Sequence, residues 1–173
     1  MIEMKRATGG VPVQLSVRMK PAWSFVDDLR KFSEIFCACA CPGADRETQV
    51  SVAVHELLQN AIENGGGEEV ELLLEVATER NRIEVAVTNA CSDEAFDRLA
   101  GIIERMNLEP DPLLWYVKSM RENPSSSRGG LGLARVRFES QLEIGLRRSP
   151  GAATVRATGK LRALPPQVLG EAE

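Results

Sequence analysis

Apolar residues Val50, Val54, Leu57, Leu58, Ala61 and Ile62 recur at helical spacing, which predicts a helix with one face committed to a core. Glu56 and Asn60 interrupt that pattern four residues apart in His55–Gly65, so a carboxylate and a carboxamide project from the same side, roughly one turn apart. Glu63 and Asn64 extend the polar face. Upstream, residues 11 to 19 (VPVQLSVRM) alternate as a strand that Pro21 ends. Trp23, Val26, Leu29, Phe32, Ile35 and Phe36 then form a helical stripe from Ala22 to about Cys39. Cys41-Pro42-Gly43 breaks this helix, and Asp45 is the expected cap of the next.

Gly65-Gly66-Gly67 stops the second helix, and EVELLLEVATE and RIEVAVTNA follow as strands joined through Arg80-Asn81. Phe96, Leu99, Ile102, Ile103 and Met106, then Leu113, Leu114, Val117 and Met120, return to helical spacing. Pro110 and Pro112 separate these two segments. After the connector Pro124-Ser125-Ser126-Ser127, a glycine-led helix runs to about Ser140. LEIGLRR and ATVRATGKL close the chain as a hairpin turning at Ser149-Pro150-Gly151. This order predicts an α/β two-layer sandwich, a mainly antiparallel mixed sheet with helices on one face. The expected boundaries are a flexible N-terminus over 1–10, one domain over 11–162 with a helical insertion at about 93–123, and a disordered tail over 163–173.

A chain of 173 residues with 43% hydrophobic and 27% charged residues can bury one core of a soluble domain. Its net charge of −4 gives no nucleic-acid footprint. No run approaches the roughly 20 apolar residues of a membrane span, so a cytoplasmic location is expected. Cys37, Cys39 and Cys41 alternate, but structural zinc wants paired ligands and the chain has one His. They read as small, partly buried residues near a helix end.

The Glu56/Asn60 pair suits phosphate chemistry, because Mg²⁺ takes oxygen ligands and a carboxylate can orient or deprotonate a hydroxyl. Gly129, Gly130 and Gly132 stand before a helix, where free N–H groups and the dipole favour an anion. Arg128 either neutralises phosphate charge or sits in solvent. His55 reads as a packed or half-exposed histidine, since adjacent helical residues point about 100° apart. Trp115, Tyr116 and Met120 read as core more than partner surface, although the insertion is also where a lid or docking surface would lie.

Together these segments resemble the GHKL, or histidine-kinase-type, ATP-binding fold, over roughly residues 11 to 162. HELLQNAIENG is similar to its N-box, RGGLGLARV to its second glycine box, and RSPGAATVRATGKL to its closing hairpin, where Gly151 and Thr154 match. The resemblance implies Glu56 as base, Asn60 as Mg²⁺ ligand, and ATP phosphates wrapped by Gly129, Gly130 and Gly132. Asn64, one turn on, could reach the metal or the ribose. No dimerisation helix with a phospho-accepting His precedes the N-box, which argues against a sensor histidine kinase, and a short standalone domain of this kind resembles the anti-sigma-factor serine kinases of bacterial partner switching.

Val87-Thr88-Asn89, Met106-Asn107 and Tyr116 resemble the SiaB-like group more closely. Such proteins phosphorylate a Ser or Thr of a STAS-domain partner, with a sigma factor as a further partner and a homodimer as a candidate assembly. In place of the first glycine box the chain reads Asn89-Ala90-Cys91-Ser92-Asp93. Asn89 can accept a hydrogen bond from the adenine amino group through its side-chain oxygen. The alternative is a degenerate regulator that sequesters a partner without ATP, and a third possibility is an ATP hydrolase without a protein substrate.

Overall fold

The computed structural model describes residues 2–5, 12–65, 67, 69–122 and 130–161. Alternation over residues 13 to 19 forms a strand that buries Leu15 and Val17 and turns the residues between them to the other face. Six strands make one sheet in the order β1 (Ile2–Lys5), β2 (Val13–Met19), β3 (Val70–Ala77), β4 (Arg82–Ala90), β6 (Ala152–Lys160) and β5 (Glu143–Ser149). All five strand pairings are antiparallel among the described residues. Among the described residues there are five α-helices: α1 (Trp23–Ala40), α2 (Glu47–Asn64), α3 (Asp93–Leu108), α4 (Pro112–Glu122) and α5 (Leu131–Glu139).

The expected α/β sandwich is therefore present. The N-terminus differs, because Ile2–Lys5 add an edge strand in register with β2, Ile2 opposite Val17 and Met4 opposite Leu15. Pairing with β2 gives that short segment an order its own sequence is too brief to signal. Residues 163–173 and the connector over 124–127 lie outside the described residues.

Helix α2 lies on the sheet through Val50, Val54, Leu57, Leu58 and Ala61, all buried, with Ile62 packed at the edge of the same core. Helix α1 packs beside it, but with its stripe rotated from the expected one. Val26, Leu29, Ser33, Phe36 and Cys37 are buried, whereas Trp23 and Ile35 are 55% and 60% exposed. Ser33 fits inside because its hydroxyl donates to the Arg30 carbonyl at 2.6 Å. Cys37 and Cys41 are buried and Cys39 is exposed; a hydrogen bond with Cys41, then burial, push the Cys37 thiol far above its ordinary range.

Asp45 does not cap α2. It occupies the left-handed region at φ 53°, and Arg46 precedes the helix with no side-chain cap. Glu47 in the first turn supplies the negative charge that the helix dipole favours there. The β3–β4 connection is a short 3-10 turn, Thr78–Arg80, followed by Asn81 at φ 48°, a conformation Asn tolerates better than most residues. Pro150-Gly151 joins β5 to β6, with Gly151 at φ 70°. No helix among the described residues is long and apolar enough to cross a membrane.

Candidate functional site

The C-terminal half of α2 carries the candidate residues past the end of β4 and the start of α5. Asn60 and Asn64 sit on one face, and Asn64 Nδ2 donates to both the Asn60 carbonyl and Asn60 Oδ1 at 3.1 Å. Asn89, one residue before the end of β4, lies on the helix-facing side of the sheet, in phase with buried Val85 and Val87. Its Nδ2 donates to the Ala90 carbonyl at 3.0 Å. These three asparagines and Gly130 line one pocket of about 90 Å³. Alpha-helix α3 supplies the opposite wall through Arg98, Leu99 and Ile102, and Cys91 closes one side.

Two glycines hold this geometry. Gly130 adopts φ 76°, and a Cβ there would lie 2.6 Å from Ile102 Cγ2, so only glycine lets the α5 turn approach α3. A Cβ at Gly65 would lie 2.3 Å from the Ala61 carbonyl and 2.5 Å from Asn89 Nδ2. Gly65 therefore ends α2 and lets Asn89 settle against it. Its stop was legible in sequence; its contact with Asn89 was not, because the partner lies 24 positions away.

Glu56 takes a different position. It is buried and lines a neighbouring cleft of about 360 Å³ with His55, Gln59, Tyr116, Gly132 and Arg135. Arg135 Nη1 donates to Glu56 Oε1 at 2.9 Å, and Arg135 Nε donates to Glu139 Oε1 at 2.9 Å. The hydrogen bond to Glu139 raises the Arg135 guanidinium above its ordinary range. On the other side of Glu56, a Cβ at Gly132 would come within 2.6 Å of Oε2. The first turn of α5 thus separates two openings, with Gly130 in one and Gly132 in the other.

Thr154 is not in either. On β6, Ala153 and Val155 follow the helix-facing phase, and Ala153 lines the asparagine pocket. Thr154 points to the opposite face, where its hydroxyl lies 2.8 Å from that of Thr88 across the register. Strand parity decides this, because a shift of one residue exchanges the two faces. Arg128 and Gly129 lie outside the described residues.

The segment in place of a first glycine box starts α3. Ser92 Oγ accepts from the Ala95 amide at 3.2 Å, and Asp93 and Glu94 occupy the first turn. Arg148 then ties α3 to β5, bonding Asp93 at 3.0 Å and Asp97 at 2.6 Å while stacking over Phe96 at 4.0 Å. At the other end Arg137 donates to the Met106 carbonyl and, at 2.6 Å, to that of Glu109. Asn107 Nδ2 adds a bond to the Ile144 carbonyl at 3.3 Å. Tyr116 stacks on Phe138 with ring centroids 5.4 Å apart, which joins α4 to α5; Trp115 is partly buried against the core and Met120 is exposed.

Sequence reasoning missed Arg98 and Arg135. Arg98 sits on a helix read from its apolar spacing and Arg135 on one read from its leading glycines, but a cation's facing depends on which helix lies opposite. No protein-family model matches the chain, and no curated protein matches it. Among solved structures, a chain of the crystal structure of the SiaB–SiaC complex from Pseudomonas aeruginosa is similar to it. That likeness has a TM-score of 0.57 at 15% identity and covers 83% of this chain and 88% of the other. At that identity the likeness is one of fold.

Proposed function

We propose that this protein binds Mg-ATP in the asparagine-lined pocket and transfers the γ-phosphoryl group to a Ser or Thr of a partner protein in a partner-switching system. The observation that carries the reading is the convergence of Asn60, Asn64, Asn89 and Gly130 on one pocket, with Glu56 one helical turn from Asn60. The oxygen-bearing side chains fit the metal. Asn60 would hold Mg²⁺ through its carboxamide oxygen, with Asn64 beside it, and the ion when bound offsets phosphate charge.

Asn89 would accept from the adenine amino group through Oδ1, since its amide already donates to Ala90. The amides at the start of α5 and the guanidinium of Arg98 favour a phosphate group between them. Glu56 would orient the acceptor hydroxyl, so that most of the rate enhancement comes from positioning and electrostatics. The fold shared with a chain of the SiaB–SiaC complex supports a protein partner. A STAS-domain protein is the partner class that the sequence resemblance implies.

One observation favours a second reading, a regulator that sequesters its partner without ATP. The pocket holds about 90 Å³, whereas small-molecule sites usually offer about 300–1,000 Å³. ATP would require α3, which forms the wall, to move outward. Calorimetric titration of the nucleotide-stripped protein with ATP, with and without Mg²⁺, separates the two. Saturable Mg²⁺-dependent binding supports the kinase reading, and no binding at millimolar ATP overturns it in favour of the regulator.

A further inference from the structure

The carboxylate of Glu56 is confined at both oxygens. Oε1 receives Arg135 Nη1 at 2.9 Å, and Oε2 faces Gly132 so closely that a single added methyl carbon would stand 2.6 Å away. The Glu56 side chain is 10% exposed, so its pair with Arg135 is less screened by water than the pair Arg135 makes with Glu139, which is 33% exposed. Arg135 lies one turn before Glu139 and bonds both acids through different nitrogens. A planar guanidinium with a fixed fork of donors fixes direction as well as charge.

We propose that Arg135 is a positioning residue that holds the Glu56 carboxylate in place along the cleft between α2 and α5, with Glu139 competing for the same guanidinium. This rests on the reading of Glu56 as the group that orients the acceptor hydroxyl. The arrangement has a built-in directionality. Removing the cation releases Glu56, whereas removing the competing acid leaves Arg135 undivided on Glu56. The titratable groups that line the cleft with Glu56 are His55 from its own helix, Arg135 and Glu139 from α5, and Tyr116 from α4.

The test is side-chain carbon-13 NMR relaxation of Glu56 in the full chain and in R135Q, R135K and E139Q, each first shown by its melting curve to fold. Removing the guanidinium frees Glu56 Oε1, so R135Q should raise the ps–ns mobility of the Glu56 side chain. R135K should fall between R135Q and the native chain, and E139Q should leave Glu56 at least as ordered as in the native chain. In steady-state assays of ATP consumption, R135Q should lower kcat about tenfold or more with KM for ATP unchanged, since misplacing a reacting group by 1 Å can cost about a hundredfold. R135K should recover part of that loss.

Unchanged order of the Glu56 side chain in R135Q, or a native kcat in that variant, overturns the proposal. The kinase reading fails separately, through absence of ATP binding in the calorimeter. In that event the relaxation measurement still decides whether Arg135 holds Glu56 in place.

Discussion

At the scale of single residues, the site depends on side chains whose worth is set by what lies within 3 Å of them. Asn60→Ala should abolish the Mg²⁺-dependent part of ATP binding by calorimetry, because it removes the only carboxamide oxygen bonded to Asn64 Nδ2 among the described residues. Retained Mg²⁺ dependence would remove Asn60 from the metal site. Gly132 makes a sharper prediction. In a helix Gly→Ala ordinarily stabilises by about 1 kcal/mol, but here the new methyl would meet Glu56 Oε2. Gly132→Ala should therefore destabilise the native chain yet be neutral or stabilising in a Glu56→Ala background, with a coupling of about 0.5–3 kcal/mol in denaturant melts. Additive effects would show that Glu56 simply moves aside. Cys91 lines the asparagine pocket, and burial raises its thiol above the ordinary value despite the nearby Arg148. It should alkylate more slowly than exposed Cys39 at pH 8, and Mg-ATP should slow it further; mass mapping of the two sites reads both effects.

Secondary-structure elements were the most legible level, since apolar spacing survives in any context that offers a core. The stripe on α1 shows where that legibility stops. Trp23 and Ile35 fit the period as well as Val26 and Phe36 do, yet the sheet and α2 take only the sector containing Val26, Leu29, Ser33, Phe36 and Cys37. Helical spacing names candidate faces, and the neighbour chooses one. Helix α3 is held to β5 by Arg148, whose ion pairs are largely exposed and contribute about 0–1 kcal/mol to global stability. Arg148→Ala should accordingly leave the melting temperature nearly unchanged while accelerating amide exchange in the first two turns of α3. A large global loss would mean that α3 and the sheet unfold as one unit.

For the molecule as a whole, the sheet separates a dry face from a polar one. Leu72, Leu74, Ile83, Val85 and Val87 meet α1 and α2 on one side. On the other, Gln14 pairs with Glu75, Arg18 with Glu71, and Glu84 with Arg82 and Arg156. Leu58 is fully buried between α2 and this core, so Leu58→Ala should cost about 2–5 kcal/mol. The loss should appear as a lower denaturant midpoint at an unchanged slope. A changed slope would instead report a loosened native or denatured state.

By itself the sequence determined the alternation of strands and helices, the single α/β layer pair, and the meeting of Glu56 and Asn60 on one helical face, because these follow from local periods of two and 3.6 residues. Asn89 was singled out through a family resemblance and Gly130 through its place before a helix, and both line one pocket. Only the tertiary structure decided that Glu56 and Asn60 open into different clefts, that Arg135 bridges Glu56 to Glu139, and that Thr154 faces away while Ala153 lines the pocket. Those outcomes depend on the packing of α5 against α2 and on the parity of β6 against β4. Both are relations between segments far apart in the chain, and the spacing of residues within either segment does not encode them.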